Sequence, residues 1–165
     1  MKLNEVTAWQ VEAWLKINLP KNSTYKIRPS GLVDVLGDVD LDHLTDAKMP
    51  VQFGDVSGGF VAMRSPVVTL KGLPQRIGGN FYCPKVKSLS GIEKIVKYVG
   101  GAFLFTKNIN PTHILGTLLI AGVTEYNFDR GGPIDKIMNK YIGTGDIIGA
   151  QDELIDAGFK EQARL

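Results

Sequence analysis

Apolar and polar residues alternate in four short stretches of the chain, and each stretch begins with a glycine. The pattern Gly-x-apolar-x-apolar starts at Gly37, Gly58, Gly79 and Gly101, so these glycines are 21, 21 and 22 residues apart. Alternation of this kind is typical of a β-strand that buries one face. A glycine before the strand suits a tight turn or a positive φ angle. The pattern therefore predicts four strands at a fixed period.

A second landmark supports the repeat. The tetrapeptides LKGL at residues 70–73 and LSGI at residues 89–92 stand 19 residues apart. A unit of about 21 residues cannot enclose its own apolar face, so such units stack and bury that face between neighbours. We therefore predict an α+β fold built on a short β-solenoid, or leucine-rich-repeat-like array, of about four rungs over residues 25–107. The alternative is an ordinary antiparallel β domain whose glycines coincide by chance.

Helical patterns flank the predicted array and would cover its ends. Residues 1–20 form the N-terminal helical cap, with Asn4 as N-cap and an apolar face predicted to face the array, made of Val6, Trp9, Ala13 and Ile17. An open stack would otherwise expose apolar surface and unpaired strand edges. The whole chain, residues 1–165, is predicted to be a single domain.

The C-terminal cap, residues 108–165, combines helices with one strand. Asn110 and Pro111 predict the start of a helix that runs through Leu119. A further strand is predicted over residues 123–128. A helix then begins at Pro133, and the last helix, capped by Thr144 or Asp146, follows a connector that contains three glycines over residues 143–149. That connector lacks the spacing and the lysine of a nucleotide-binding loop.

Composition is that of a globular domain and points to an intracellular setting. Of the 165 residues, 44% are hydrophobic and 22% are charged, close to average globular usage. No stretch approaches the run of about 20 apolar residues that crosses a bilayer, so no membrane association is predicted. Cys83 is the single cysteine and cannot form an internal disulfide, which favours the cytoplasm.

Charge is distributed unevenly along the chain. Residues 1–63 carry six Lys or Arg against eight Asp or Glu, and residues 108–165 carry five against eight. Residues 64–107 carry eight Lys or Arg against Glu93 alone, a balance of +7. A basic segment between acidic ends can steer a partner of opposite charge.

The basic segment supplies the candidate site. Its recurrent basic and aromatic side chains would reach a common surface if the rungs stack: Lys71, Arg76, Tyr82, Lys85, Lys87, Lys94, Lys97 and Tyr98. Such a surface can meet nucleic-acid phosphates, with the tyrosines available for stacking. It can equally meet an acidic protein, or be a solvated face with no partner. The three interpretations stay open at this point.

Residues that could carry catalysis or bind metal do not form a known motif. Asp38, Asp40 and Asp42 alternate on one strand face, which fits either a Ca²⁺ or acid–base site or a solvated face. A calcium-binding loop that starts at Asp38 would need Gly and Glu where His43 and Met49 stand, so that loop is excluded.

The remaining nucleophile and ligand candidates are scattered. His43, His113 and Cys83 belong to three different predicted elements, whereas a metal site needs three or four convergent ligands. Cys83 takes an inward position in its rung and is predicted to pack as a small apolar residue. We therefore predict no enzymatic activity, no metal and no cofactor.

In several stretches the sequence resembles a family of uncharacterised tailed-bacteriophage proteins with leucine-rich-repeat-like repeats. The resemblance rests on residues 33–41, 53–58, 70–74 and 77–83, and on the tail at residues 145–158. Members usually repeat a cysteine at the end of each rung. Here only Cys83 does so, with Ala62 and Phe105 in the equivalent places. The resemblance implies no catalytic residues.

These observations lead to a hypothesis of function. The resemblance implies a phage accessory protein in the host cytoplasm, and the charge favours binding of a host protein, such as inhibition of a defence-system component. The alternatives are a nucleic-acid-binding protein that uses the basic face of residues 64–107, a minor virion component, or an enzyme in which Asp38, Asp40 and His43 converge. An uncovered rung edge would also allow the chain to pair with itself as a homo-oligomer.

Overall fold

Each predicted rung folds as two short strands joined by a tight corner. A computed structural model of the chain describes residues 7–106 and 110–165. Its strands are β1 Thr24–Ile27, β2 Val33–Leu36, β3 Val39–Asp40, β4 Phe53–Val56, β5 Phe60–Val61, β6 Arg76–Ile77, β7 Phe81–Tyr82, β8 Tyr98–Val99, β9 Ala102–Leu104 and β10 Glu125–Asn127. Its helices are α1 Ala8–Asn18, α2 Ile92–Ile95, a 3₁₀ helix Leu115–Leu119, α3 Pro133–Lys140 and α4 Ile147–Asp156.

The strands form two five-stranded sheets. The first sheet has the order β1-β2-β4-β6-β8, and the second has the order β10-β9-β7-β5-β3. All pairings are parallel except that of β1 with β2. Each rung places one strand in each sheet, so residues one period apart are direct neighbours. The prediction of an α+β fold with a four-rung β-solenoid and flanking helices is confirmed, and β10 adds a fifth strand to the second sheet.

The rung glycines are required mainly by close approach of backbones at the corner. Gly37 has a φ of 117°, whereas Gly58, Gly79 and Gly101 are not in the left-handed region. A Cβ at Gly79 would lie 3.0 Å from the backbone nitrogen of Gly59, and one at Gly58 would collide with the Asp38 carboxylate. Positive φ at the rung glycines was thus a correct expectation for Gly37 only. The tetrapeptide glycines, Gly72 and Gly91, do have positive φ.

A ladder of aromatic rings runs through the core from β5 to β10. Phe60 and Phe81 have ring centroids 6.0 Å apart, Phe81 and Phe103 4.9 Å, and Phe103 and Tyr126 5.8 Å. These four residues take the same inward position in β5, β7, β9 and β10. Aromatic contacts of this kind add about 0.5–1.5 kcal/mol each beyond area burial. The repeat period therefore produces a continuous core.

The N-terminal end is covered by β1 and α1, but α1 uses a different face from the predicted one. Leu15 is fully buried, and Trp14 packs edge-on against Phe53 with ring centroids 6.5 Å apart. Trp9 and Ile17, which were predicted to face the array, are 69% and 78% exposed. Ala13 is also exposed, and the predicted Asn4 cap and Val6 lie outside the described residues. The prediction failed because α1 has two apolar stripes, and only contact with the array selects between them.

The prediction that a helix starts at Asn110 and Pro111 is wrong. Thr112 is extended and bridges to Ser88 of the preceding rung, and helical turns begin only at Leu115, as a 3₁₀ helix. The reason is that backbone N–H groups in this segment bond to other parts of the chain: that of Thr112 to the carbonyl of Lys87, and that of His113 to the carbonyl of Glu161. The boundary predicted at residues 107 and 108 lies outside the described residues.

The last two helices agree with the sequence pattern. Pro133 occupies the first turn of α3, and Asp146 caps α4 by accepting a hydrogen bond from the Gly149 N–H at 2.8 Å. Gly143 and Gly145 both have positive φ in the connector between the two helices. The interpretation of this glycine-containing stretch as a connector is confirmed.

Candidate binding surfaces

The predicted site residues fall into two groups on different sheets. Arg76 and Tyr98 lie on strands of the first sheet, and three lysines lie on the segments that lead into those strands: Lys71, Lys94 and Lys97. Tyr82 lies on the second sheet, and Lys85 and Lys87 follow it. The rungs do stack in register, and the tight corner separates Arg76 and Tyr98 from Tyr82, whereas the five lysines lie on the segments that run from the second sheet back to the first. The basic segment thus contributes to two surfaces.

The first surface is the outer side of the first sheet, which we call the first-sheet face. Register places Asp55, Arg76 and Tyr98 side by side on β4, β6 and β8. The Arg76 guanidinium lies over the Tyr98 ring, 4.5 Å from its centroid, in a cation–π contact. A concavity of about 460 Å³ is lined by this pair and by Tyr25 and Leu36, and Leu36 is 69% exposed.

One arginine pairs with both carboxylates in the acidic part of the first-sheet face. Arg28 Nε donates to Asp34 Oδ2 at 2.7 Å, and its Nη2 lies 2.7 Å from Asp34 Oδ1 and 3.4 Å from Asp55 Oδ2. Asp34 Oδ1 also accepts from the Asp55 N–H at 2.8 Å. The Arg28 hydrogen bond holds the pKa of Asp34 below its ordinary value, against a smaller opposing effect of burial. This network leaves Arg76 beside carboxylates that already have a partner.

The second surface lies where the strands of the second sheet end, and we call it the basic column. It consists of Arg64, Lys85 and Arg130, which stand three residues beyond the ends of β5, β7 and β10. All three line a concavity of about 410 Å³ together with Met63, Leu104, Phe105, Thr106 and Asn127. Lys85 was among the predicted site residues, whereas Arg64 and Arg130 were not singled out. The signal for Arg64 was its 21-residue distance from Lys85, which equals the repeat period.

The loop that carries Arg130 is held by two carboxylates. Asp135 accepts from the N–H groups of Phe128 and Gly131, each at 2.6 Å, and Asp129 accepts from those of Ile134 and Asp135 at 2.9 and 3.1 Å. Burial raises the pKa of Asp135, and the N–H donors oppose that effect. Within this loop Arg130 has a φ of 54°, a left-handed conformation that costs free energy in any residue with a Cβ.

The predicted acidic cluster is used in the array's own hydrogen bonding. Asp38 Oδ1 accepts from the Gly59 N–H at 2.7 Å, and Asp42 Oδ1 accepts from the Arg64 N–H at 2.7 Å. Asp40 accepts from the Asp42 N–H at 2.9 Å, while His43 lies 3.3 Å from the amide oxygen of Asn18. Asp38 and Asp42 thus bond successive rungs to each other. Across residues 7–106 and 110–165, no group of three or more metal-ligating side chains converges.

The other two reactive candidates are also placed apart. Cys83 is fully buried, at the position equivalent to Leu41, Ala62 and Phe105, and burial raises its pKa well above the ordinary value. His113 Nδ1 lies 2.9 Å from Thr112 Oγ1 and 3.2 Å from Ser88 Oγ. A thiol in this state is a packing residue and not a nucleophile.

Comparison with known proteins leaves the site to be interpreted from its own geometry. The chain matches no protein-family model, no curated protein and no solved structure at a significant level. Within the described part of the chain, no helix has the length and apolarity to cross a membrane. The resemblance to phage repeat proteins therefore stays a prediction.

Proposed function

We propose that this chain is a bacteriophage accessory protein that binds a host protein without catalysing a reaction, and that the first-sheet face is the contact. The observation that carries this proposal is the stacked pair of Arg76 and Tyr98 in a concavity edged by Tyr25 and Leu36. Tyrosine and arginine are the residue types that dominate binding energy at protein interfaces. Because the ring already orients the guanidinium, less side-chain entropy is lost when a partner binds.

Charge on this face indicates the chemistry of the partner. Asp34 and Asp55 both lie within ion-pair distance of Arg28. Among the residues that the structure describes, Arg76 has no carboxylate within 4.0 Å. An acidic side chain of the partner would pair with Arg76, and an apolar one beside it would cover Leu36.

The three lysines on the segments leading into this sheet would assist approach. Lys71, Lys94 and Lys97 are exposed, and Lys97 Nζ donates to the Glu93 carbonyl at 2.7 Å. Charges around an interface raise association rates more than they raise affinity. We therefore expect these lysines to affect the rate and salt dependence of binding, and Arg76 and Tyr98 to affect its strength.

The test is affinity capture with matched variants. Wild-type chain, the double variant R76E/Y98A and the control K160E would be immobilised, checked for folding by circular dichroism, and exposed to lysate of a bacterial host. We expect mass spectrometry to find a host protein that wild type and K160E retain and that R76E/Y98A loses. Retention of the same proteins by all three, or of none by wild type, would contradict the proposal.

Capture also leads to a test of the finer prediction that binding inhibits the partner. The purified partner would be assayed with added wild-type chain and with R76E/Y98A, and inhibition is expected only with wild type. Nucleic-acid binding and a place in the virion stay predictions. Gel shifts at low salt and mass spectrometry of purified particles test them.

A further inference from the structure

The basic column brings like charges together along the stack. Neighbouring strands of a sheet are about 4.8 Å apart, and β5 and β7 are direct neighbours in the second sheet. Arg64 and Lys85 therefore follow adjacent strands at the same offset, and Arg130 follows β10, the edge strand beyond β9. The stacking therefore collects side chains of one sign at the same end of the second sheet. A cluster of cations attracts an anion.

Carboxylates near the basic column make few direct contacts with its cations. The single ion pair that the described residues give the column joins Arg64 Nε to Asp42 Oδ2 at 4.0 Å, and the Arg64 side chain is 87% exposed. Asp129 and Asp135 are close in sequence to Arg130, but both accept hydrogen bonds from backbone N–H groups of the loop. Neither Asp129 nor Asp135 is among the described residues that line the concavity, so a bound anion would contact the cations and not these carboxylates.

The backbone at Arg130 is a second observation. The loop requires left-handed conformations at Arg130 and Gly131, with φ of 54° and 77°. Gly131 adopts this conformation without strain because it has no Cβ, whereas Arg130 has a Cβ and is strained there. Strained residues of this kind cluster at binding sites, where the strain positions a side chain.

The concavity has the size and the lining of a small-ligand site. Its volume of about 410 Å³ lies within the usual range of about 300–1,000 Å³ for such sites. Thr106 and Asn127 add neutral hydrogen-bonding groups to the three cations, and Met63 and Leu104 add apolar lining. None of the described residues that line it is a carboxylate.

We propose that the basic column binds a small ligand that carries two or more phosphate groups. Arginine matches phosphate oxygens with paired N–H donors, and lysine adds a point charge between the two arginines. Three cations in a row suit several linked phosphates better than one carboxylate. The site is separate from the first-sheet face, so it does not depend on the proposed host-protein contact.

The experiment is isothermal titration calorimetry of the full chain with sodium tripolyphosphate at constant ionic strength. We expect one tripolyphosphate per chain. K85Q and R130G should each weaken binding at least tenfold, while K160Q, which removes an exposed lysine outside the column, should leave affinity within twofold. R130G is informative because glycine suits the left-handed position, so loss of binding in this variant is not caused by unfolding.

Three results would overturn the proposal. The first is the absence of heat from tripolyphosphate binding to wild type. The second is equal weakening by K160Q and K85Q, which would indicate attraction to overall charge. The third is that a 15-nucleotide oligothymidylate binds at least tenfold more tightly than tripolyphosphate and depends on Lys85, which would assign the column to nucleic acid. R76E should retain tripolyphosphate binding, so that failure here and failure of the host-protein proposal are distinguishable.

Discussion

The first-sheet face and the basic column are built by the same stacking rule but treat charge in opposite ways. On the first-sheet face, Asp34 and Asp55 share Arg28, and Arg76 stacks on Tyr98, so cations and carboxylates line the same concavity. In the basic column, Arg64, Lys85 and Arg130 line one concavity, and the described residues give them a single ion pair at 4.0 Å. Equal geometry therefore produces a surface of mixed charge in one place and a surface lined by cations in the other.

The difference in charge predicts opposite effects of the two surfaces on folding stability. Ion pairs within a surface contribute modestly to folding, because water screens them. Clustered cations and a left-handed arginine lower the free energy of unfolding. A ligand that binds only the folded chain raises it again. We therefore expect charge removal to lower stability on the first-sheet face and to raise it in the basic column.

The largest effect is expected from the core that both surfaces share. Phe81→Ala removes the ring that lies between those of Phe60 and Phe103 and should lower the free energy of unfolding by about 3–5 kcal/mol. Urea denaturation measures this. Tyr82→Ala, at the outward-facing neighbour, is the control and should cost much less. Similar losses in both variants would mean that the aromatic ladder is not the main core.

The next effect concerns the loop that carries Arg130. The two carboxylate oxygens of Asp135 accept hydrogen bonds from the N–H groups of Phe128 and Gly131. Asp135→Asn keeps only one of these acceptor oxygens, so one of the two N–H groups loses its partner. The expected loss is about 1–3 kcal/mol in the free energy of unfolding, measured by urea denaturation. Asp152→Asn, on the exposed side of α4, should be neutral. An unchanged stability for Asp135→Asn would show that the loop does not depend on this carboxylate.

Arg130→Gly separates stability from binding. Relief of the left-handed strain, offset by the extra flexibility of glycine in the unfolded chain, should raise the free energy of unfolding by about 0.5–1 kcal/mol. Arg28→Gln should lower it, because Asp34 and Asp55 lose their shared cation. Thermal denaturation of both variants checks the opposite signs. The same sign in both would remove the contrast between the two surfaces.

The smallest effect is a pH dependence of the first-sheet face. Arg28 lowers the pKa of Asp34 below its ordinary value of 3.8, so Asp34 binds protons more weakly in the folded chain than in the unfolded one. Its contribution to stability is therefore fully present above that ordinary value and is lost as the pH falls through the folded-state pKa. NMR titration of the Asp34 carboxyl should show a higher pKa in Arg28→Gln than in wild type, and an unchanged pKa would contradict the role of Arg28.

Much of the fold could be predicted from the period alone, because strands that repeat must stack. The spacing of Gly37, Gly58, Gly79 and Gly101 located four corners. Each corner lies between the two strands of its rung, one of which belongs to each sheet. The face of α1 could not be predicted, since Trp14 and Leu15 compete with Trp9 and Ile17 on the same helix. Helical propensity at Pro111 likewise did not decide the structure, because Thr112 bonds to the neighbouring rung.

The candidate sites were predictable only in part. The repeat, the inward positions of the aromatic ladder and the excess of positive charge in residues 64–107 could be read from the chain. The contact of Arg76 with Tyr98, and the meeting of Lys85 with Arg64 and Arg130 in one concavity, depend on how the chain folds. Local periodicity places equivalent residues side by side on neighbouring strands, whereas the corner of each rung and the loop before α3 bring residues from different parts of the chain together.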